Sequence, residues 1–373
     1  MQDPYADIRP YNDQEVRPVL SRLAGSAQLI NALIHYRYPS MPRWLMALLR
    51  PLISHRLRRH IGRVEHVEDF QNMVARWVET LMTHSTDNVV VRGLEKLNKD
   101  HAYLLISNHR DIAMDPTLIN YSLHQKGWPT SRIAIGDNLL RNPDIADIMR
   151  LNKSFIVKRS LANKREKLRE LQRLSGYIRE SLEAGQSVWI AQREGRAKDG
   201  IDKTDKAVLK MLALNGRQRD ENFADTMAAM RPVPVSIQYE WDPCDAEKAR
   251  ELVIRSESGR YEKSGDEDTR SILQGLTGFK GRVFVDFGEP LSGDDIASAE
   301  AMAAAIDQQL LQLTEVLPVH QAAASLARGE ACDAPELASA AAELRRRTEF
   351  LSPEQAQRLL QTYAVPAQGN SDL

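Results

Sequence analysis

The sequence predicts an α/β fold: a mixed, mainly parallel sheet flanked by helices, with helical N-terminal and C-terminal extensions. Three observations carry this. Between about residues 88 and 293, short apolar runs of strand length alternate with segments of helical periodicity, the pattern of a sheet covered by helices on its faces. On either side of that stretch the pattern is helical throughout. The chain of 373 residues, 42% hydrophobic and 27% charged, is long enough to bury a sizeable core.

Residues 1–87 read as a helical region. Within it, Met41 to Arg63 contains six arginines (43, 50, 56, 58, 59 and 63) and no acidic residue, while Trp44, Leu45, Leu48, Leu49, Leu52 and Ile53 recur at helical spacing. Two readings stand for this segment. It lies in a membrane interface, arginines to lipid phosphate and the Trp/Leu face to the acyl chains; or the apolar face packs on the rest of the protein and the arginines are a solvated back. With Pro51 mid-segment, it is either one helix or two short pieces.

From residue 88 the expected strands are Val89 to Val91, Ala102 to Ile106, Arg132 to Ile135, Ser154 to Val157, Ser187 to Ala191, Val233 to Ile237 and Val283 to Phe287. Between the fourth and fifth, Leu168, Leu171, Leu174, Ile178 and Leu182 form an amphipathic helix stopped by Gly185. Pro234 within the sixth strand shapes a wall of the site rather than performing chemistry, and a proline in a strand otherwise marks an edge or a bulge; the two readings are compatible. Residues Arg255 to Arg270 read as a solvated loop or hairpin tip. Residues 294–373 read as two or three helices and a frayed tail from Gln368 onward.

The net charge of −1 gives no global attraction to nucleic acid or membrane, so any electrostatic partner must meet a local patch. Two cysteines, Cys244 and Cys332, indicate neither a disulfide framework nor a cysteine metal site, and a reducing, cytoplasmic setting fits. The nine histidines are scattered without a metal-ligand spacing, so no metal is expected. Met-Gln-Asp-Pro-Tyr-Ala-Asp at the start does not read as a secretory signal, and no run of about 18 apolar residues suggests a spanning helix.

The chemistry concentrates in Leu104-Leu-Ile-Ser-Asn-His-Arg-Asp-Ile-Ala-Met-Asp-Pro-Thr117. A strand stops at Ser107 and Asn108, and His109, Asp111 and Asp115 follow around the start of a helix. Such a corner suits proton abstraction, because a strand end holds an imidazole while a carboxylate fixes its tautomer. Capping of the helix by the same aspartates is the bland alternative. Three further stretches end strands downstream: Phe155-Ile-Val-Lys-Arg159, Val188-Trp-Ile-Ala-Gln-Arg-Glu-Gly-Arg196 and Val233-Pro-Val-Ser-Ile237.

In order and character these four stretches resemble the four blocks of the glycerophospholipid acyltransferase superfamily, over about residues 88–290. The resemblance implies an O-acyltransferase that moves a fatty acyl group from acyl-CoA or acyl-carrier protein to a phosphate-bearing glycerol or lysolipid, with lysophosphatidate favoured. It makes His109 the general base and Asp115 its partner. Lys158, Arg159, Arg193 and Arg196 become candidates for the acceptor phosphate, Glu194 orients an arginine or the acceptor hydroxyl, and Gly195 lets the backbone approach a ligand. No cofactor beyond the acyl donor is implied. The implied setting is cytoplasmic and peripheral, on the inner face of a membrane reached through residues 41–63.

Two departures from the family pattern stand out. The family separates its His and Asp by four residues, whereas five, Arg110 to Met114, separate His109 from Asp115. An extra residue turns a helical side chain by about 100°, so the pairing needs a turn or bulge to absorb it, and Asp111 is the rival partner. Asp115 is favoured because it precedes a proline suited to an early helix position. Gln192 and Arg193 replace the usual Phe-Pro before Glu194. A catalytically silent lipid-binding relative and an acyl-thioester hydrolase are the rival functions.

Overall fold

The computed structural model describes residues 3–37, 42–140, 142–161, 163–332 and 334–368. Its strands are β1 Asn88–Arg92, β2 Leu104–Ser107, β3 Arg132–Gly136, β4 Ser154–Val157, β5 Val188–Ala191, β6 Pro232–Tyr239 and β7 Arg282–Phe287. Its helices begin with α1 Asp13–Gly25, α2 Ala27–Arg37, α3 Arg43–Ile61, α4 Val67–Ser85, α5 Met114–Gln125, α6 Pro143–Leu151 and α7 Lys164–Glu183. They continue with α8 Lys206–Leu212, α9 Phe223–Met230, α10 Asp245–Ser258, α11 Glu267–Thr277, α12 Ala299–Leu313, α13 Pro318–Ala327, α14 Pro335–Thr348 and α15 Pro353–Gln368. Every expected strand is present within two residues of its expected limits, and the fold is the mixed, mostly parallel α/β arrangement the sequence predicts.

The chain divides into two compact units, each built from two stretches: residues 1–78 with 131–177, and residues 79–130 with 178–373. The second unit carries five strands in the order β1-β7-β6-β2-β5. Only the β6–β7 pairing is antiparallel among them. Both β2 and β6 are buried along their whole length, as parallel strands covered on both faces must be. Because β2, β5 and β6 run parallel, their C-terminal ends share one edge, the usual place for a ligand in such sheets.

Pro234 sits neither at an edge nor at a bulge, since β6 lies between β2 and β7. The prolines are tolerated because β7 pairs only with Val235 to Tyr239. Beyond it, the carbonyls of Pro232 and Pro234 accept hydrogen bonds from Leu291 and Gly288 in the chain leaving β7, at 2.9 and 2.8 Å. That ladder asks the proline residues for carbonyls alone.

Two other expectations are corrected. The stretch 255–270 is not all loop: α10 runs to Ser258 and α11 starts at Glu267, so only the short connection between them is irregular. Arg255 to Ser258 are the exposed last turn of α10, whose buried positions Lys248, Ala249 and Glu251 lie earlier, so their polar composition reads as loop. Among the described residues the C-terminal region holds four helices, α12 to α15, and the last three pack together around Val319, Ala322, Ala341, Leu344, Leu359 and Ala364. The expected frayed tail falls on residues 369–373, outside the described residues, whereas Gln368 ends α15.

In the first unit β3 and β4 pair in parallel. A core of Val16, Val19, Leu20 and Leu23 from α1 is completed by Ile61, Phe70 and Leu151, with Leu57 packed against it. Helix α3 runs unbroken through Pro51, which costs it one backbone hydrogen bond rather than dividing it. Its C-terminal Leu57 and Ile61 turn inward, while Leu52 is 63% exposed and Arg56, Arg58 and Arg59 are exposed. Met41 and the side chains of Arg43, Trp44 and Leu48 lie outside the described residues. Among the described residues no helix is long and apolar enough to cross a membrane.

Candidate active site

His109 follows β2 by two residues, and its position is set first by Asn108. The Asn108 side chain accepts from the Ile237 N–H at 2.9 Å and donates to the Ile237 carbonyl at 3.0 Å, so an amide continues the β2–β6 pairing where the β2 backbone has turned away. Its Nδ2 also donates to Asp202 at 3.0 Å. A buried amide with its donors and acceptor satisfied fixes the chain on either side of it.

The Nδ1 of His109 lies 2.8 Å from Asp115 Oδ2. Three more donors converge on that carboxylate: the N–H groups of Arg110 and Asp111 at 2.7 and 2.9 Å on Oδ2, and the Tyr239 hydroxyl at 2.8 Å on Oδ1. Burial and the Asp115 charge push the Tyr239 phenol well above its usual range, so it stays a donor. Asp115 is fully buried and its orientation is fixed from every side. With Nδ1–H donating to Asp115, the tautomer leaves Nε2 as the free base of the ring.

The extra residue between His109 and Asp115 is absorbed before the helix. Residues 112 and 113 form a turn and α5 begins at Met114, so His109 is not on the helix and the 100° rotation does not arise. Asp111 makes that turn rather than pairing with His109: its Oδ1 accepts from the N–H groups of Ala113 and Met114 at 2.9 and 2.8 Å. Burial, then the neighbouring Asp115, raises the Asp111 carboxyl above its usual range. Helix α11 comes in close enough that a Cβ on Gly275 would stand 2.1 Å from Asp111 Oδ2, which is why a glycine occupies that position.

The chain leaving β5 wraps the same corner. Ala197 N–H donates to the His109 carbonyl at 2.8 Å, and Arg110 reaches across to the Gly200 carbonyl at 3.1 Å and to Asp202 at 2.7 Å. Burial raises the Asp202 carboxyl, opposed by the Arg110 cation. Trp189 on β5 sets its ring edge-on to the imidazole, centroids 6.2 Å apart, and donates from Nε1 to Ser107 Oγ at 2.9 Å. The imidazole is therefore held beside Trp189 without being closed off, since the His109 side chain keeps 16% of its exposure.

Of the other candidate residues, Glu194 and Gly195 are exposed and Arg193 and Arg196 are partly buried, all on this loop. Gly195 has φ +76°, a conformation that side chains disfavour, while a Cβ there would meet nothing. The glycine is thus required by the turn itself. Arg196 approaches Ser271 Oγ at 3.5 Å. Lys158 and Arg159 follow β4 in the first unit. There Lys158 pairs with Asp7 at 2.6 Å and Glu170 at 3.3 Å, and the hydrogen bond to Asp7 raises its ammonium above the usual lysine range. Arg159 is exposed, with its guanidinium carbon 3.4 Å from where a Cβ on Gly136 would stand. Among the described residues no group of three or more His, Cys, Asp or Glu could hold a metal ion.

Sequence reasoning missed Asn108, Arg110, Tyr239, Asp202 and Lys248, whose ammonium bonds the Arg110 carbonyl at 2.7 Å. Asn108 alone carried a signal, as the polar residue that ends β2. Arg110 adjoins His109 in sequence, whereas Asp202, Tyr239 and Lys248 join the site from positions 92 to 138 residues away from their partners there.

Residues 88–225 match the family model described as Acyltransferase. No curated protein matches the sequence. Among solved structures, the crystal structure of PlsC, the 1-acyl-sn-glycerophosphate (LPA) acyltransferase from Thermotoga maritima, is similar over 80% of this chain and 96% of that one, at 15% identity and a TM-score of 0.40. That likeness is too distant to carry a substrate or a residue's role across. The family match covers the His109 corner and the next two blocks, so residues 88–225 are similar to an acyltransferase domain.

Proposed function

We propose that the protein transfers a fatty acyl group from an acyl thioester, acyl-CoA or acyl-carrier protein, to the hydroxyl of a phosphate-bearing glycerol or lysolipid, with lysophosphatidate the favoured acceptor. The observation that carries this reading is the His109–Asp115 hydrogen bond inside an acyltransferase domain. Nε2 of His109 takes the proton of the acceptor hydroxyl as its oxygen adds to the thioester carbonyl. The tetrahedral intermediate expels the thiolate, which takes the proton back from the imidazolium, leaving an ester and a free thiol. No acyl-enzyme is needed, because a thioester is already activated and lacks only a well-held nucleophile.

Arg159, Arg193 and Arg196 supply guanidinium groups for the acceptor phosphate, and Glu194 orients one of them or the hydroxyl. Lys158, engaged by Asp7, acts on that phosphate only by exchanging its partner. The setting is peripheral, on the cytoplasmic face of a membrane, where exposed Arg56, Arg58 and Arg59 beside Leu52 meet acidic lipid.

The test is acyl transfer from labelled acyl-CoA and acyl-carrier protein to glycerol-3-phosphate, lysophosphatidate and neutral lysolipids. Wild type is expected to make ester with a phosphate-bearing acceptor, and His109→Ala and Asp115→Ala to lower the rate by about 100-fold or more. Free fatty acid in place of ester would replace the reading with a hydrolase. Lipid binding without turnover by folded wild type would replace it with a silent relative.

A further inference from the structure

The loop that carries His109 is longer than the family pattern by one residue, and something must hold that added length still. Lys248, in the first turns of α10, is 4% exposed. Its ammonium donates to the Arg110 carbonyl at 2.7 Å and pairs with Asp242. The Arg110 carbonyl and the Asp111 N–H belong to one peptide group, and that N–H donates to Asp115 Oδ2 at 2.9 Å. The peptide between Arg110 and Asp111 is therefore gripped at both ends, by a cation on its oxygen and by the carboxylate partner of His109 on its nitrogen. A cation on the carbonyl also polarises the N–H toward the carboxylate.

We propose that Lys248 is a positioning residue for the His109–Asp115 pair, acting through the Arg110–Asp111 peptide, and that the C-terminal helices hold it in place. The second part follows from Asp242, which Lys248 needs as its counter-ion. The Asp242 N–H donates to the Tyr363 hydroxyl at 2.9 Å, and Arg347 donates to the Asp242 carbonyl at 3.3 Å. Both side chains also meet Asp245, Arg347 at 2.7 Å and Tyr363 at 2.8 Å. Helices α14 and α15 thus fix the start of α10, α10 fixes Lys248, and Lys248 fixes the loop. Residues 335–368 lie far beyond the segment matched by the family model, which gives that appended region a task in the reaction.

A buried ammonium paired with one carboxylate is a poor device for stability, because well-packed apolar side chains serve as well or better. It is a good device for holding one carbonyl in one place. That distinction makes the proposal testable. The proposal rests on the acyltransfer reading only for its kinetic arm, so a second arm uses no substrate.

In the first arm, Lys248→Met in the full chain is expected to lower kcat about tenfold with KM for donor and acceptor within about twofold. The same change in an Asp115→Asn background is expected to cost little more, since the route through Asp115 is already broken. Independent, multiplicative losses would overturn the proposal. In the second arm, amide hydrogen exchange of Arg110 and Asp111 is expected to quicken about tenfold in Lys248→Met, with β2 and the middle of α5 unchanged. Unchanged exchange at those two amides, or equal acceleration throughout β2 and α5, would overturn it. Should Lys248→Met fail to fold, Asp242→Asn releases Lys248 from its counter-ion and is expected to quicken the same two amides. Wild type without acyl transfer, but with this local exchange pattern, would remove the functional reading and leave the tether.

Discussion

Asn108 replaces backbone with side chain at the point where β2 ends and the chain must turn to present His109. Its amide satisfies both the N–H and the carbonyl of Ile237, which lie in a fully buried strand. Asn108→Ala would leave both unpaired, and the expected loss of stability is about 3 kcal/mol, read from urea unfolding with acyl transfer falling alongside. A loss below about 0.5 kcal/mol would show that the bond pair does not hold this end of the strand. At this scale the sequence revealed His109 and both aspartates, because they follow an apolar run directly and their chemistry is unusual there. The choice between Asp111 and Asp115 was decided by a turn that no periodicity encodes. Tyr239 and Lys248 were hidden for another reason: a tyrosine in a strand and a lysine on a helix are ordinary until the fold sets them beside the loop.

The elements that proved easiest to read are those whose burial repeats. All seven strands were visible as apolar runs, most plainly β2 and β6, which are buried along their whole length, and in α7 the predicted stripe is buried at Leu174, Ile178 and Leu182. The elements that misled are those whose role depends on a neighbour's length. The prolines of β6 would be barred from an inner strand only if the adjacent strand paired alongside them, and β7 stops short. Helix α3 is divided between two roles, with Leu57 and Ile61 turned into the α1 core and Leu52 with its arginines turned out. Replacing Arg56, Arg58 and Arg59 together by Glu is expected to release the protein from vesicles containing acidic lipid, with little change in stability because the three are exposed. Sedimentation with such vesicles that matches wild type would remove α3 from the membrane contact.

Over the molecule as a whole, the near-zero net charge conceals buried groups with strongly altered ionisation. His320, at the start of α13, is 3% exposed and accepts a hydrogen bond from the Leu317 N–H on Nδ1 at 3.0 Å. Burial, then the Arg110 cation, lowers its pKa from 6.5 to about 4. A histidine held neutral in the folded state contributes stability that is fully present above its unfolded value of 6.5 and is lost as the pH falls toward about 4. Between pH 7 and pH 4.5 wild type is expected to lose about 2 kcal/mol more than His320→Asn, whose side-chain oxygen keeps the acceptor without titrating. Equal pH slopes for the two proteins would rule this out. The family-matched segment ends at residue 225, and Tyr239, Lys248 and the helices behind them all come later. That order has a consequence in time. The ribosome must add 124 residues after Asp115 before Tyr239 exists, about 6–25 s at the pace of synthesis. Until then β2 has no β6 beside it and Asn108 has no strand to bind. Each nascent chain therefore carries its His–Asp motif through a third of its synthesis before the residues that align the pair have been made.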